Sequence, residues 1–480
     1  MIQKKANKQI FEITKKDIFF MFIAFLVLAI FWITAEYNLI PQGLEPEGQK
    51  MIGILVMAGI LWITEPIPLP VTGLLIIILQ PILHIMKPEQ VFSSFGNQAV
   101  FFLIGAFIIA AAIEKHNLHK RIALLFLSRF DQNPRLFTLG IMFSCAFLSF
   151  IMPEHGVAAL FLPIVVSILV AMKIVPKKSN FGKISMLSIA YGCSIGSLGT
   201  LIGGARNPLA IAQLAKEGIY IGFFEWMVIA VPIVLISLPL VWLILQFAFP
   251  IELNDIKDAK KEIESQVKET GRIKQKELLV LFVLIGTIIG WILFSNYVYI
   301  GLAVIAVLGA FTLFILGCVN WKDVEKRVPW GIILLYGGAI TLGYGILETG
   351  AGSYLANQII SLSSFNIYLM ILLMIVITVI ITNIMSNVAA VAIILPIGIS
   401  ISKEIIGLNP LIATMIIALS GGLAFMFVIS TPGNAITYSA GYYTTKDLFK
   451  AGVLANMLCV VVIFLVAIVY WMEILKIGLI

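Results

Sequence analysis

The sequence predicts an all-α polytopic membrane protein with about 11 transmembrane helices plus two re-entrant helical hairpins, arranged as an inverted repeat. Composition, the length of the apolar segments and two segments too long for one span carry that prediction. Of 480 residues, 60% are hydrophobic and 12% charged, with a mean hydropathy of +1.06. Soluble domains run at about 45–50% apolar and about 25% charged. An ordinary soluble enzyme is therefore excluded. The formal net charge of +7 is explained by basic loops on one membrane face, so no nucleic acid partner is expected.

The elements follow in order. Lys4, Lys5, Lys8, Lys15 and Lys16 precede an apolar run at 18–35 that is too long for a signal-peptide core and lacks a cleavage site. It reads as a first span with its N-terminus inside. Further apolar segments lie at 51–63, 69–86, 98–113, 222–249, 278–296, 300–318, 330–347 and 451–471, near the length of about 20 residues that a spanning helix needs. Segments 136–172 and 367–401 are overlong and read as bent pairs of half-length helices. Those at 184–215 and 411–440 carry Gly-, Pro- and Asn-rich interruptions, the sequence mark of a broken helix at a binding site. The alternative is that Gly and Pro merely kink packed helices.

Charge tests the topology. With both long segments returning to their own side, 26 of the 32 Lys and Arg residues fall inside, five (Lys50, Lys87, Lys216, Lys403, Lys476) fall outside, and Arg206 lies at membrane depth. This is the positive-inside pattern for a plasma or inner membrane protein with a cytoplasmic N-terminus and an outside C-terminus. The mixed-charge stretch 250–277 reads as a cytoplasmic linker between two halves.

Those halves match at a nearly constant spacing. Phe102–Phe107 parallels Leu335–Ile340, Glu114 parallels Glu348, and Leu162-Pro163 parallels Leu395-Pro396, at offsets of 233, 234 and 233. Five Lys and Arg residues follow the first unit's opening span at 115–135, whereas its counterpart at 349–367 has none. The repeats are thus expected in opposite orientation, an architecture that secondary transporters use to place broken helices around a central site.

The polar clusters sit where the apolar runs break. Met385-Ser386-Asn387-Val388-Ala389-Ala390 leads into Leu395-Pro396, and Ser430-Thr431-Pro432-Gly433-Asn434-Ala435-Ile436 interrupts the later segment. Added to these are Glu114-Lys115 with His119-Lys120-Arg121, Pro329-Trp330-Gly331 and the run 441–452. On these residues nearly the whole chain resembles the divalent anion/sodium symporter (DASS) family. In that family each hairpin tip carries Ser-Asn-Thr, and each broken helix carries a Thr-Pro-Pro-Asn-like turn. The resemblance implies an elevator-type homodimer carrying small dicarboxylates of four or five carbons, with sulfate as the runner-up. It also implies scaffold helices in 1–133 and 278–365, and a transport domain formed by 134–249 and 366–480.

Carried over by position, the substrate-binding residues of the second half are Ser386, Asn387, Val388, Thr431, Pro432, Gly433 and Asn434, with a residual sodium site at Thr382 and Asn387. Val388 removes one hydroxyl from the family pattern. The first half departs further: Pro153-Glu154-His155-Gly156 stands where Ser-Asn-Thr is expected, and the turn Gly203-Gly204-Ala205-Arg206-Asn207-Pro208 keeps Asn207 but has Arg206 where the family often has Pro. Glu154, His155, Gly156, Arg206 and Asn207 complete the expected substrate-binding set. These departures suggest the exchanger branch of the family.

An ionisable group at membrane depth costs roughly 2.5–3.5 kcal/mol on insertion scales and is a functional candidate by default. Arg206 either forks a substrate carboxylate or neutralises Glu154. His155 is either a satisfied core histidine or a switchable charge. Fixed cations in place of mobile sodium predict sodium-independent anion exchange, because an empty charged site crosses poorly. Sodium- or proton-coupled symport is the alternative. No organic cofactor is expected, and sodium is left open.

Other classes fit less well. The four histidines (84, 116, 119, 155) form no HExxH motif, no GxSxG elbow is present, and no repeated potassium-filter motif marks a channel. The four cysteines lie in apolar segments without CxxC spacing and read as packing residues. Glu65 reads as a helix-start cap, Trp62, Trp226, Trp330 and Trp471 as interface anchors, and His116, His119, Lys120 and Arg121 as a solvated cytoplasmic elbow.

Overall fold

The computed structural model describes residues 13–130, 133–295, 297, 299–361, 366–405 and 407–477, so Lys4, Lys5 and Lys8 of the basic tail lie outside the described residues. Every regular element among these is helical. The first helices are α1 (Lys15–Glu36), α2 (Pro46–Thr64), α3 (Leu69–Ile82), α4 (Pro88–Phe95), α5 (Gln98–Lys115) and α6 (Leu118–Leu127). A hairpin α7 (Pro134–Leu148) and α8 (Glu154–Ala171) comes next, then a helix split into α9 (Asn180–Gly196) and α10 (Arg206–Lys216), and α11 (Phe223–Ala248). The linker holds α12 (Lys257–Thr270). The second unit runs α13 (Gln275–Phe294), α14 (Gly301–Ile315), α15 (Trp321–Arg327), α16 (Trp330–Glu348) and α17 (Ala351–Ser361). It closes with a hairpin α18 (Ile367–Ile384) and α19 (Asn387–Glu404), a split helix α20 (Pro410–Ser420) and α21 (Pro432–Ser439), and α22 (Thr445–Leu465), which continues as a π-helix to Ile474.

The repeat is carried by the starting residues: Pro88 and Trp321, Leu118 and Ala351, Pro134 and Ile367, and Glu154 and Asn387 are each 233 apart. Packing repeats likewise, since α5 lies on α14 as α16 lies on α3. The two split helices are interlocked. The half-helix α10 packs on α19 and α20, and α21 packs on α8 and α9, so each unit's second half-helix rests in the other unit's hairpin. Ten helices among the described residues are long and apolar enough to cross a membrane, with four shorter apolar helices beside them.

Turns fix the hairpin bases. Asn133 and Asn366 cap α7 and α18 by accepting from the amides of Leu136 and Leu369, and Pro134 preorganises the first turn. Three sequence expectations change. Glu65 is the C-cap of α2 in the left-handed region (φ 47°), while α3 begins four residues later behind Pro68, because the flanking prolines cannot continue a helix. Of the four expected anchors, Trp62, Trp226 and Trp471 are fully buried, and Trp330 is exposed (37%). Their indole N–H groups donate to the carbonyls of Leu69, Leu198 and Ile229, which is how a buried indole is satisfied. The elbow is not fully solvated either, since His119 is 7% exposed. All four cysteines are free and buried.

Candidate functional site

Both hairpin tips and both helix breaks meet at the centre of the fold. At these points α8, α10, α19 and α21 begin, and α7, α9, α18 and α20 end. Helix N-termini carry a partial positive charge and unpaired N–H groups, whereas C-termini offer carbonyl oxygens. Four N-termini beside four C-termini make a place where an anion and a cation can lie side by side.

The breaks are built by one device used twice. Asn207 Nδ2 donates to Ser197 O (2.8 Å) and Thr200 O (2.7 Å). Asn434 Nδ2 donates to Ala424 O and Phe427 O, both at 2.9 Å. Every atom of the second set lies 227 residues after its partner in the first. Both side chains are fully buried and occupy carbonyls that unwinding frees, which would otherwise stand unpaired at membrane depth. The hairpins are tied to the breaks in parallel fashion: Thr200 Oγ1 donates to Phe150 O (2.8 Å) and Ser430 Oγ to Asn383 O (2.6 Å). Asn207 and Asn434 thus hold their own breaks, and Thr431 caps α21 by accepting from the amide of Asn434.

In the first half Glu154 opens α8 and its amide donates to Gly203 O (3.1 Å). Arg206 opens α10 and is 1% exposed. Its guanidinium lies 3.8 Å from Glu154 Oε1, donates from Nη2 to Ser197 Oγ (2.8 Å) and from Nε to Ala418 O (3.2 Å) at the end of α20. One side chain therefore joins the first tip, the first break and the second broken helix. Glycine makes room for it: a Cβ at Gly204 would stand 2.6 Å from Nη1, and one at Gly422 would stand 2.2 Å from Nη2. Of the two readings of Arg206, the contact made is with Glu154. Glu154 Oε2 and the hydroxyl of Ser149 are buried without a partner. His155 and Gly156 follow on the first turn of α8 and are half-buried.

In the second half Ser386 is the N-cap of α19, and Asn387 and Val388 form its first turn. Thr382 Oγ1 lies 2.8 Å from Asn387 Oδ1 and 2.7 Å from Gly421 O. The hydroxyl has one hydrogen for two neighbours, and the Asn387 amide can present either Oδ1 or Nδ2 to it, so a hydroxyl, an amide and a backbone carbonyl meet at one buried point. Neutral hydroxyl, amide and carbonyl oxygens suit a hard monovalent cation, with the C-terminus of α20 adding its dipole. Asn387 Nδ2 has no partner. Pro432 is exposed and Gly433 buried, with Gly433 3.8 Å from the Ala158 methyl by its would-be Cβ, so the second break rests on the first hairpin.

Residues 16–477 match the family model described as the sodium:sulfate symporter transmembrane region. The chain belongs to this family. It is the DASS family of the sequence resemblance. Relatives named sodium-dependent dicarboxylate transporter SdcS, from Staphylococcus aureus strains bovine RF122 / ET3-1 and USA300, are 32% identical over 465 residues, covering 92% of this chain and 88% of each relative. Among solved structures, the Alcanivorax borkumensis YdaH transporter aligns with a TM-score of 0.53 at 13% identity, over 78% of this chain and 85% of that one. Neisseria gonorrhoeae MtrF aligns at 0.56 and 13%, over 92% and 97%. The fold is that of helical membrane transporters.

Ser197, Gly421 and Gly422 escaped sequence reading. The signal was available, because aligning the breaks on Asn207 and Asn434 shifts the offset from 233 to 227 and pairs Ser197 with Ala424.

Proposed function

We propose that this DASS-family chain is a secondary transporter of small dicarboxylates, driven by sodium through one site, with a fixed Arg206–Glu154 pair standing in for the other. The observation that carries it is the cluster of Thr382 Oγ1, the Asn387 side-chain amide and Gly421 O, a hydroxyl, an amide and a carbonyl gathered at one buried point beside the end of α20. A sodium ion there would offset the charge of a substrate carboxylate, which the N-terminal turns of α19 and α21, with Ser386, Asn387, Val388, Thr431, Pro432, Gly433 and Asn434, would receive. In the first half the N-terminal turn of α8, with His155 and Gly156, faces the second carboxylate. The substrate class rests on the sodium-dependent dicarboxylate transporters that share 32% of its sequence.

Strict exchange of anions rested on a net positive charge in the empty site. Glu154, 3.8 Å from Arg206, weakens that premise, since the paired site is close to neutral and can return empty. Exchange keeps one supporting observation, His155, a second ionisable group on the same tip. A scaffold of α1–α6 and α13–α17 with a moving unit of α7–α11 and α18–α22 completes the reading, as a homodimer with eleven spans. Replacing Thr382 by Val removes the hydroxyl without changing volume. The sodium concentration for half-maximal succinate uptake then rises at least about tenfold, worth about 1.4 kcal/mol. An unchanged sodium response would overturn the assignment of this site.

A further inference from the structure

A second polar cavity lies at the cytoplasmic elbow, well away from the helix breaks. It encloses about 340 Å³ between the α5–α6 corner and the turn from α12 into α13, and Lys115, Lys120, Arg121 and Lys274 line it together with Glu269 and Glu277. Two of the four cations are committed. Lys115 binds Asp323 (2.7 Å). Arg121 binds Glu277 (2.8 Å) and clasps the turn by donating to the carbonyls of Thr270 (3.1 Å), Gly271 (2.9 Å) and Arg272 (3.3 Å). Gly271 adopts φ +60° there, which lets the turn fold around the guanidinium.

Lys120 and Lys274 are left over. Neither has a carboxylate within ion-pair distance among the described residues, and Lys120 is half-buried. A half-buried ammonium facing other cations gains nothing from that position unless an anion joins it. The first turn of α6 opens on the same cavity through Asn117 and has no side-chain cap, so its amide dipoles point the same way. Glu269 is the one carboxylate here without a cation of its own; it sits exposed at the rim, where solvent screens its repulsion of an anion. The volume is near the lower end for small-ligand sites. The site borders Lys115, the last residue of a spanning helix, where basic pockets meet lipid head groups.

We propose that this cavity binds a phosphate group, presented either by the headgroup of an anionic phospholipid or by a free phosphate ester, with Lys120 and Lys274 as its cationic ligands. Because α6 packs on the hairpin helix α7, and α12 packs on both α6 and α8, occupancy would stiffen the strap that joins the scaffold to the first hairpin.

The test uses the full chain in a neutral detergent. Its melting temperature is followed while dioleoyl-phosphatidylglycerol is titrated in one arm and inorganic phosphate in another, with chloride at matched ionic strength. The wild type is expected to show saturable stabilisation. In K120Q/K274Q the midpoint weakens about thirty-fold, the loss of two lysine–phosphate contacts, while the exposed cytoplasmic control K446Q binds as the wild type does. Response in the lipid arm alone assigns a headgroup, and response in both assigns the phosphate group itself. Absence of a saturable response, a response equal to that of chloride, or a midpoint unchanged in the double variant overturns the proposal. The unmodified succinate uptake expected of K120Q/K274Q in neutral lipid shows that the variant is folded and separates failure here from failure of the transport reading.

Discussion

Removing one partner of the Glu154–Arg206 pair should cost far more than removing both. At 3.8 Å and an effective dielectric of about 20, two unit charges attract by about 4 kcal/mol. Glu154→Gln leaves the guanidinium with Ser197 Oγ and Ala418 O as its nearest acceptors and no counter-charge. Arg206→Gln leaves a carboxylate with one oxygen already unpartnered. Each single change therefore strands a buried charge, which typically costs 3–5 kcal/mol. The double variant strands none. Thermal unfolding of detergent-solubilised protein, followed by tryptophan fluorescence, supplies the cycle. The double variant is expected to melt above both singles, with a coupling energy of about 2–4 kcal/mol. Additive losses, with the double variant melting lowest, would refute the pairing and return Arg206 to the role of an unpaired substrate clamp.

Two further outcomes follow from local geometry. Gly422→Ala places a methyl 2.2 Å from Arg206 Nη2, so either the guanidinium or the second break must shift. Succinate transport is expected to fall at least about tenfold with the protein still inserted, measured by uptake against surface biotinylation. His119, pushed down to about 4 by burial in the elbow, is neutral when folded and takes a proton on unfolding near its ordinary value of 6.5. Its depressed value contributes stability that is complete above about pH 6.5 and is lost as pH falls toward 4, up to about 3 kcal/mol. His119→Gln should flatten the dependence of melting temperature on pH across that window, and an unaltered slope would place the titration elsewhere.

The fold was legible because lipid imposes length and saturation on every segment. Runs too long for a span had to turn back, as 136–172 does at Pro153 and 367–401 does at Ser386. The repeat offset of 233 appears again in the starts of α4, α6, α7 and α8 against their counterparts. The tip and break residues were legible as types, since polar clusters in apolar runs have few other uses. Arg206 was visible as an anomaly, but its partner was not decided, because a cross-hairpin contact leaves no mark in local spacing. Trp226 misled for a related reason. An indole near a span end has the same sequence context whether it sits in the headgroups or, as here, donates to Leu198 O at the first break. The elbow misled because His119 sits one residue from Lys120 on α6, yet the roughly 100° turn between neighbours leaves His119 buried and Lys120 lining the cavity.

In the proposed mechanism sodium, held at Thr382, Asn387 and Gly421, drives dicarboxylate entry while Arg206 and Glu154 replace a second ion. Uptake of labelled succinate into proteoliposomes tests it, with and without internal dicarboxylate, in sodium and in choline buffer. Uptake into empty vesicles is expected to require external sodium and to rise with a Hill coefficient of about one, as a single sodium site demands. Uptake that requires internal dicarboxylate and ignores sodium would contradict it and establish exchange.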